Sequence, residues 1–192
     1  MAQTWLVVGL GNPGPDYART RHNIGQMVVA ELERRAGAKP KRHGRADALV
    51  AESRVIGGPK VVTVFPLSYM NRSGGPVSKL MDWYGVDPEH VIVLHDELDL
   101  PLGAVRLKQG GGHGGHNGMR DIIAARGPDV LRVRLGIGRP PGRQDAADFV
   151  LRPFAKAEQA EADLLVQLGA DAVERIIDEG FLAAQQRVHA PA

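Results

Sequence analysis

The sequence predicts an α/β fold: a single domain, residues 1–192, in which a twisted, mixed β-sheet is flanked by α-helices. Short apolar, β-branched runs alternate along the chain with segments of helical period, which is the pattern of a sheet and its covering helices. The runs at 48–54 and 60–65 flank Ile56-Gly57-Gly58-Pro59, so we expect an antiparallel hairpin. The run Val91–Leu94 is wholly apolar and is expected to be a strand buried inside the sheet.

The individual elements follow from local patterns. A strand at Trp5–Val8 enters a glycine-rich turn, and Ile24–Ala36 then has the apolar spacing of an amphipathic helix that stops at Gly37. The basic residues up to Arg45 lack periodicity and are expected to form a loop. Besides the hairpin and the buried strand, two more strands are predicted, at Ala104–Lys108 and Val130–Gly138. Two more helices are predicted, one through Val77, Leu80, Met81 and Tyr84 and one at Met119–Ala125. A short segment at 145–151 then precedes a helical tail from about Lys156, with candidate breaks at Gly169 and Gly180.

Composition excludes several classes of protein. The chain has no cysteine, so disulfides, thiolate zinc sites and cysteine nucleophiles are excluded. It shows neither a signal-peptide pattern nor an apolar run near the ~18 residues that a membrane span needs. We therefore expect a cytoplasmic protein that does not associate with membranes.

Charge is distributed unevenly along the chain, although the formal net charge is only +2. Acidic residues dominate the C-terminal helical region, and two basic clusters precede it. Such segregation favours the binding of a polyanion on one face, with ordinary solvation of each cluster as the alternative. The clusters comprise Arg34, Arg35, Lys39, Lys41, Arg42 and Arg45, and Arg132, Arg134, Arg139 and Arg143.

The stretch from Gly9 to Asn23 has the layout of a functional site. It starts with GLGNPGP directly after the first predicted strand and ends with TRHN directly before the first helix. Its glycines fit the G-x-G-x-x-G fingerprint of dinucleotide sites, which is one alternative interpretation. Pro13 and Pro15 argue against that interpretation, because they rigidify the turn and delay the helix that should face a pyrophosphate. The next acidic candidate, Glu52, also lies well beyond the ~20-residue spacing of the fingerprint.

Polar side chains that suit ester chemistry follow several predicted strands. Asn12, Asn71 and Asn117 each lie near glycines, and a carboxamide can bind an amide or ester and stabilise an oxyanion, although turns also use these residues. His22 is the candidate general base, and Asp96 could hold its ring in one tautomer. The chain has neither a cysteine nor a G-x-S-x-G motif, so water is the expected nucleophile.

A metal site is the rival interpretation of the acidic segment after the buried strand. The candidate ligands are His95, Asp96, Glu97 and Asp99, together with His113 and His116. No H-E-x-x-H motif occurs, however, and the last two histidines lie among glycines rather than on a helix that would direct both at one ion. The glycine-rich loop also lacks the G-K-[ST] ending of a Walker motif. We therefore expect no metal and no other cofactor.

Five motifs occur in an order that resembles the bacterial peptidyl-tRNA hydrolase family. They are GLGNPG from Gly9, YARTRHN from Tyr17, SYMNRSG from Ser68, HDELDLPLG from His95 and GGHNG from Gly114. The resemblance extends from Trp5 to about Leu151, which is most of the chain. It implies an α/β fold around a mixed sheet, no metal, and hydrolysis of the ester that joins a peptide to the 3′-terminal ribose of tRNA, which returns the tRNA to translation.

The resemblance also implies roles at the reacting centre. His22 would take a proton from the attacking water, and Asp96 would stabilise the protonated imidazole. Asn12 would help to distinguish a blocked, peptide-like amine from a free aminoacyl group. Asn71 and Asn117 would hold the substrate and the water near the carbonyl.

Further roles implied by the resemblance concern the cleft and the tRNA. Tyr17 and Tyr69 would line the same cleft, and the hydroxyl of Tyr69 is expected to be dispensable because relatives often have phenylalanine there. Lys108 and Arg134 would clamp the 5′-phosphate of tRNA. His113 falls where the family varies and carries no assigned role.

Two hypotheses from other functional classes remain. One is a non-catalytic RNA-binding module, which would be favoured if His22 and Asp96 proved to be far apart; the low aromatic content of 5% and the lack of RNP or KH motifs count against it. The other is a metal-dependent esterase or nuclease. The expected partner is peptidyl-tRNA, with no obligate protein partner and a monomer as the default state.

Overall fold

The computed structural model describes residues 3–189, so the first two and last three residues of the predicted domain lie outside the described residues. Seven strands form one sheet in the order β2-β3-β4-β1-β5-β7-β6. The strands are β1 Thr4–Gly9, β2 Lys41–Arg42, β3 Ala48–Arg54, β4 Lys60–Pro66, β5 Val91–Glu97, β6 Val105–Gln109 and β7 Leu131–Gly136. The helices are α1 Ile24–Ala36, α2 Gly74–Tyr84, α3 Asn117–Arg126, α4 Ala146–Val150, α5 Gln159–Glu179 and α6 Phe181–His189.

The sheet is mixed, as predicted. Strands β4, β1, β5 and β7 are parallel neighbours, whereas β2 with β3, β3 with β4 and β6 with β7 are antiparallel. The predicted hairpin of β3 and β4 is confirmed, with Ala48 opposite Pro66 and Arg54 opposite Lys60. The basic segment predicted to be a loop contains β2, because Lys41 and Arg42 pair with β3 at the edge of the sheet.

Helices cover both faces of the sheet, and the alternation of side chains along β1 supplies both cores. Val7 packs with residues of α1 and α5, including Val28 and Leu165. Leu6 and Val8 point to the opposite face and pack with residues of α2 and α3. The parallel strands are therefore buried on both faces, which explains their continuous apolar runs.

Two further sequence predictions are wrong in detail. β5 does not end at Leu94 but continues to Glu97, because His95 and Asp96 remain paired with β7. Gly169 does not break the tail: α5 runs through it, and a Cβ there would lie 2.9 Å from side-chain atoms of Val28 and Leu135. That glycine allows close packing of the helix rather than ending it.

The parallel strands bring several loops to one edge of the sheet. The segments after β1, β4 and β5 all begin at this edge, since the carboxyl ends of parallel strands lie on the same side. The loop 110–116 also reaches it, although β6 runs the other way and ends beside Leu131. Four glycines of this loop have φ values of 60–85°, and its carbonyl oxygens accept hydrogen bonds from the buried Arg132. The glycines thus let the loop pass closely over the sheet.

The entry of the chain into α1 depends on contact between two glycines. A Cβ on Gly9, the last residue of β1, would collide with the carbonyl oxygen of Gly25, and a Cβ on Gly25 would collide with that of Leu94. Helix α1 therefore lies directly against the ends of β1 and β5. This contact fixes the position of the residues just before the helix.

We expect Gly25→Ala to lower the free energy of unfolding by about 1–3 kcal/mol, because the added methyl group must displace backbone. Gly75→Ala is the matched control: it is also in the first turn of a helix, but its Cβ would meet no atom within 4 Å. The control should be neutral or slightly stabilising, since alanine favours helix more than glycine does. Urea denaturation of both variants measures the difference, and equal effects would contradict the close contact.

Candidate active site

The centre of the site is a hydrogen-bonded pair, His22 and Asp96, that are 74 residues apart in sequence. His22 lies in a 3₁₀ turn, Arg21–Asn23, that leads into α1, and Asp96 lies near the end of β5. The Nδ1 atom of His22 is 2.9 Å from each carboxylate oxygen of Asp96. Because a carboxylate only accepts, Nδ1 donates and carries the proton, which leaves the lone pair on Nε2.

Burial and charge act on this pair in opposite directions. Burial alone would raise the pKa of Asp96, but the charge of His22 and the hydrogen bonds from both rings hold it well below its usual range. Burial likewise would lower the pKa of His22, but the charge of Asp96 and its hydrogen bond outweigh this and raise it above the ordinary 6.5. The pair therefore consists of a fixed anion and an imidazole made more basic.

His116 is the second histidine that is hydrogen-bonded to Asp96, and the sequence analysis did not predict this contact. Its Nε2 lies 2.8 Å from Oδ1 of Asp96, while its Nδ1 accepts the backbone N–H of Met119 at 3.2 Å and so caps α3. Accepting at Nδ1 requires the proton to be on Nε2, so His116 is a neutral donor to the carboxylate. Its position three residues before the predicted start of a helix at Met119 was the available signal, because the residue before a helix often supplies a side-chain acceptor as a cap.

The metal interpretation is weakened by this tautomer. Among residues 3–189, the group whose spacing suits a metal ion consists of His22, Asp96 and His116, with ligand atoms within 4.8 Å of one another. His116 would have to present an unprotonated Nε2 to a metal, which would place a proton on Nδ1 against the N–H of Met119. The donors therefore fit a hydrogen-bonded triad better than a metal centre.

The other candidate ligands of the sequence analysis do not join this group within the described residues. His95 is buried, its Nδ1 donates to the backbone oxygen of Asp96, and burial lowers its pKa to about 3. Glu97 binds Arg134, and Asp99 binds Arg139. Each of these side chains thus has another role.

Asn12 is held rigidly in the turn after β1. Its Oδ1 accepts the backbone N–H of Met70 at 2.7 Å, and Asn23 holds its backbone from both sides through bonds of 2.9 Å to N and O. Asn23 was not assigned a role from the sequence, but it joins the turn to the His22 segment. With Oδ1 occupied, the amide group of Asn12 is the part that can donate to a ligand.

A cleft of about 490 Å³ surrounds the triad. Four of the sequence-predicted residues beside the pair line it, namely Asn12, Tyr69, Asn71 and Asn117. Helix α4 forms an apolar wall through Ala146, Ala147, Val150 and Leu151. Tyr17 is not among the lining residues; its ring packs edge-on against Tyr69, with centroids 6.4 Å apart. The prediction that both tyrosines line the cleft therefore holds for Tyr69, whereas Tyr17 supports it from the side.

Arg21 connects the turn that carries His22 to the apolar wall. Its guanidinium lies 3.9 Å from the ring centroid of Phe149 and donates to the backbone oxygen of the same residue. It also bonds Glu158 at 2.8 Å, just before α5. Because His22 is the next residue, the cation fixes the position of His22 relative to the wall.

Lys108 and Arg134 lie outside the cleft lining, on the β6–β7 pair. Cross-strand register places Arg106 opposite Arg134 and Lys108 opposite Arg132, so all four side chains leave the same face of the sheet. Arg132 and Arg134 share a face of the sheet, but their surroundings differ. Arg132 is buried under the glycine-rich loop, whereas Arg134 is half-buried and bonds Glu97 at 3.0 Å.

Comparison with known proteins matches this arrangement to one family. A family model described as "Peptidyl-tRNA hydrolase" matches residues 6–192. The chain belongs to the peptidyl-tRNA hydrolase family. It is 57% identical over 191 residues to the peptidyl-tRNA hydrolase of Arthrobacter sp. (strain FB24), covering 98% of each chain, and 56% identical over 199 residues to that of Kineococcus radiotolerans, covering 100% of each.

Solved structures agree with this membership. The crystal structure of peptidyl-tRNA hydrolase from Acinetobacter baumannii superposes with a TM-score of 0.91 at 37% identity, covering 99% of this chain and 96% of that chain. The predicted fold and family resemblance are confirmed. The enzyme is an ester hydrolase of translation that cleaves peptidyl-tRNA and releases the tRNA.

Two alternatives from the sequence analysis lose their support. The first is the RNA-binding module, because His22 and Asp96 are in direct contact. The second is the dinucleotide fingerprint, because α1 begins only at Ile24, ten residues after Gly14, so the helix does not open within the glycines to face a pyrophosphate. Among residues 3–189, no helix combines the length and apolar character that crossing a membrane requires.

We predict that His116→Asn shifts the pH dependence of kcat. Wild-type kcat should rise with pH as His22 loses its proton, with a midpoint above 6.5 because Asp96 raises the pKa of His22. Asparagine can still cap α3, but removing the ring donor leaves more of the Asp96 charge to act on His22, so the midpoint should move further upward.

Two controls accompany this measurement. His116→Ala removes the cap as well and should unfold more easily than His116→Asn by about 1 kcal/mol. A midpoint in His116→Asn that is unchanged or lower would show that His116 does not share the carboxylate charge.

Proposed function

We propose that the enzyme hydrolyses its ester by direct attack of water, with His22 as the general base. The observation that carries this proposal is the bond from Nδ1 of His22 to the buried carboxylate of Asp96, which orients the unprotonated Nε2 nitrogen for catalysis. A base fixed in this way typically contributes about 10²–10⁴ in rate. An ester releases an alkoxide, a better leaving group than an amine, so no covalent nucleophile is needed.

Asp96 acts on the reaction through the charge of its carboxylate. The imidazole becomes positive when it takes the proton of water, and a buried anion in contact with it stabilises that state. The donor from His116 keeps this anion in place. The proposed mechanism uses neither a metal ion nor another cofactor.

The asparagines supply neutral donors to the substrate. Because Oδ1 of Asn12 is occupied by Met70, its amide group can donate to the carbonyl oxygen of an acylated amine but can offer nothing to a free ammonium group. On this basis we assign to Asn12 the role of distinguishing substrates with an acylated amine from substrates with a free amine. Asn71 and Asn117, on the cleft wall, are assigned to the ester carbonyl and the water. Tyr69 lines the substrate path and Tyr17 supports its ring.

The test compares wild type with His22→Ala on two substrates, an N-blocked aminoacyl-tRNA and the same tRNA with a free amine. We expect chelator-resistant cleavage of the blocked substrate, and a fall in kcat of about 10²–10⁴ in the variant. Binding of tRNA should change little, since His22 acts on the water. A variant that keeps most of its kcat would rule out His22 as the base.

We further propose that Lys108 and Arg134 bind the 5′-phosphate of tRNA. Their side chains leave the same face of the β6–β7 pair, and within residues 3–189 Lys108 forms no ion pair. Arg134 bonds Glu97 through Nε, so its terminal nitrogens can donate to a phosphate.

Lys108→Ala should weaken tRNA binding and reduce the slope of log Kd against log salt by about 0.9 per lost contact. The same loss of charge at Arg54, which is exposed at the end of β3, provides the control Arg54→Gln and should leave the slope unchanged. Equal slopes for wild type and Lys108→Ala would remove Lys108 from the tRNA surface.

We also propose that the enzyme works as a cytoplasmic monomer, with residues 1–192 as one domain and with no membrane or obligate protein partner. One chain supplies every residue assigned to the reaction, which supports a monomer. Its substrate arises during translation, which supports the cytoplasm.

A further inference from the structure

The structure divides the basic cluster at residues 34–45 into paired and unpaired cations. Arg34 and Arg35 both bind Glu31, at 2.7 and 2.9 Å, and Arg35 also binds two carboxylates of α5. Arg42 lies 3.3 Å from Asp47. Within residues 3–189, the remaining cations of the cluster, Lys39, Lys41 and Arg45, have no carboxylate within ion-pair distance. Their charge is therefore available to a ligand.

The register of β2 determines which of these cations face α2. Lys41 lies opposite Val50, whose side chain belongs to the core beneath α2. Side chains of directly paired residues leave the same face of a sheet, so Lys41 also lies on the α2 side, and His43 follows it by alternation. Arg42 lies on the opposite face with Leu49. The exposed face of α2 and the end of β2 thus meet at the edge of the sheet.

Trp83 lies at this junction and is 56% exposed. The ring of His43 packs edge-on against it, with centroids 5.0 Å apart, and the guanidinium of Arg45 lies 5.7 Å from its ring centroid. Nδ1 of His43 accepts the backbone N–H groups of Arg45 and Ala46, which fixes the turn. The aromatic ring and the cation are therefore positioned before any ligand binds.

A second cation extends the charge along α2. Lys79 is exposed and lies four residues before Trp83, so the two side chains are neighbours on one helix face. The adjacent carboxylate, Asp82, is bound by Arg126 at 2.8 Å. The surroundings of Trp83 are consequently positive.

We propose that this surface, formed by Lys41, His43, Arg45, Lys79 and Trp83 and called here the Trp83 surface, binds an unpaired segment of RNA. One base would stack on the indole, and the flanking phosphates would pair with the three cations. Indole stacking combined with a basic rim is the usual way of holding single strands without base-specific hydrogen bonds. The indole and the cations together indicate a ligand that has both an aromatic base and phosphates, since a simple anion would leave the indole exposed.

Other occupants fit the Trp83 surface less well. An acidic peptide would use the cations but has no general need for a flat aromatic ring. A membrane would need a larger apolar area than one indole. RNA uses both the ring and the charge, and this chain already acts on an RNA substrate.

The Trp83 surface is separate from the sites proposed above. β2 forms one edge of the sheet and β6 the other, so six interstrand spacings, about 29 Å, separate it from Lys108. An RNA segment on Trp83 is therefore not the one held at the 5′-phosphate. The inference goes beyond the proposed catalytic function and does not depend on it.

The test measures binding of a fluorescently labelled oligoadenylate, eight nucleotides long, by anisotropy at low salt. We expect Trp83→Leu to raise the Kd about tenfold through lost stacking. The double variant Lys41→Gln, Arg45→Gln should reduce the salt slope by about 1.4, or 0.7 for each contact to a single strand. Lys156→Gln, which removes an exposed charge beside α5, is the control and should bind as wild type does.

A second measurement reports on the indole directly. In a Trp5→Phe background, Trp83 is the remaining tryptophan of the sequence, so its emission should be quenched with the same Kd as the anisotropy change. Inorganic polyphosphate of equal charge should bind more weakly and should not quench.

Several outcomes would overturn the proposal. They are unchanged oligoadenylate binding in Trp83→Leu, equal binding of polyphosphate, or preferential binding of an acidic peptide or of anionic vesicles. Thermal unfolding of each variant checks that the surface remains folded. Hydrolysis of N-blocked aminoacyl-tRNA should persist in Trp83→Leu, so failure here and failure of the His22 mechanism are distinguishable.

Discussion

The buried carboxylate of Asp96 is the constraint on which the rest of the site depends. A carboxylate that is 5% exposed is stable as an anion only if its oxygens are bonded, and two histidines from different parts of the chain provide those bonds. Breaking such a buried arrangement from one side typically costs about 3–5 kcal/mol. The same bonds fix the tautomers of both rings. The stability of the anion and the basicity of the imidazole therefore have a common origin: the carboxylate that needs the bond from His22 also raises the pKa of His22.

The fold brings these groups together through contacts that are themselves not catalytic. Gly9 and Gly25 let α1 lie against the ends of β1 and β5, so the turn before the helix reaches the carboxylate on β5. Arg21 holds that turn against α4, and Asn23 locks it to the turn that carries Asn12. Each contact restricts one direction of movement of His22. A functional side chain must be held within about 0.5 Å of its productive position, and this packing restricts His22 in that way.

Ion pairing decides which cations remain available for RNA. The sequence has 24 basic and 22 acidic residues, and clusters along the chain do not distinguish those that pair from those that do not. In the structure, Arg34 and Arg35 form ion pairs with carboxylates of α1 and α5, and Arg132 donates its hydrogen bonds to backbone carbonyl oxygens. Lys108, Lys41 and Arg45 remain on two opposite edges of the sheet. The positive potential is thus shaped by the partners of each cation, near and distant in sequence, and not by the number of basic residues in a cluster.

The sequence by itself determined the fold class, the hairpin, the bounds of α1, and the family, because period, turn chemistry and motifs are local. It did not determine that β5 continues through Asp96, that α5 passes Gly169, or that Tyr17 lies beside the cleft, since these follow from pairing and packing partners far along the chain. The role of His116 was decided by the tertiary structure alone: a histidine among glycines becomes a donor to Asp96 only when the loop folds back over the sheet. Hydrogen-bond partners, and hence protonation states, are properties of that three-dimensional arrangement.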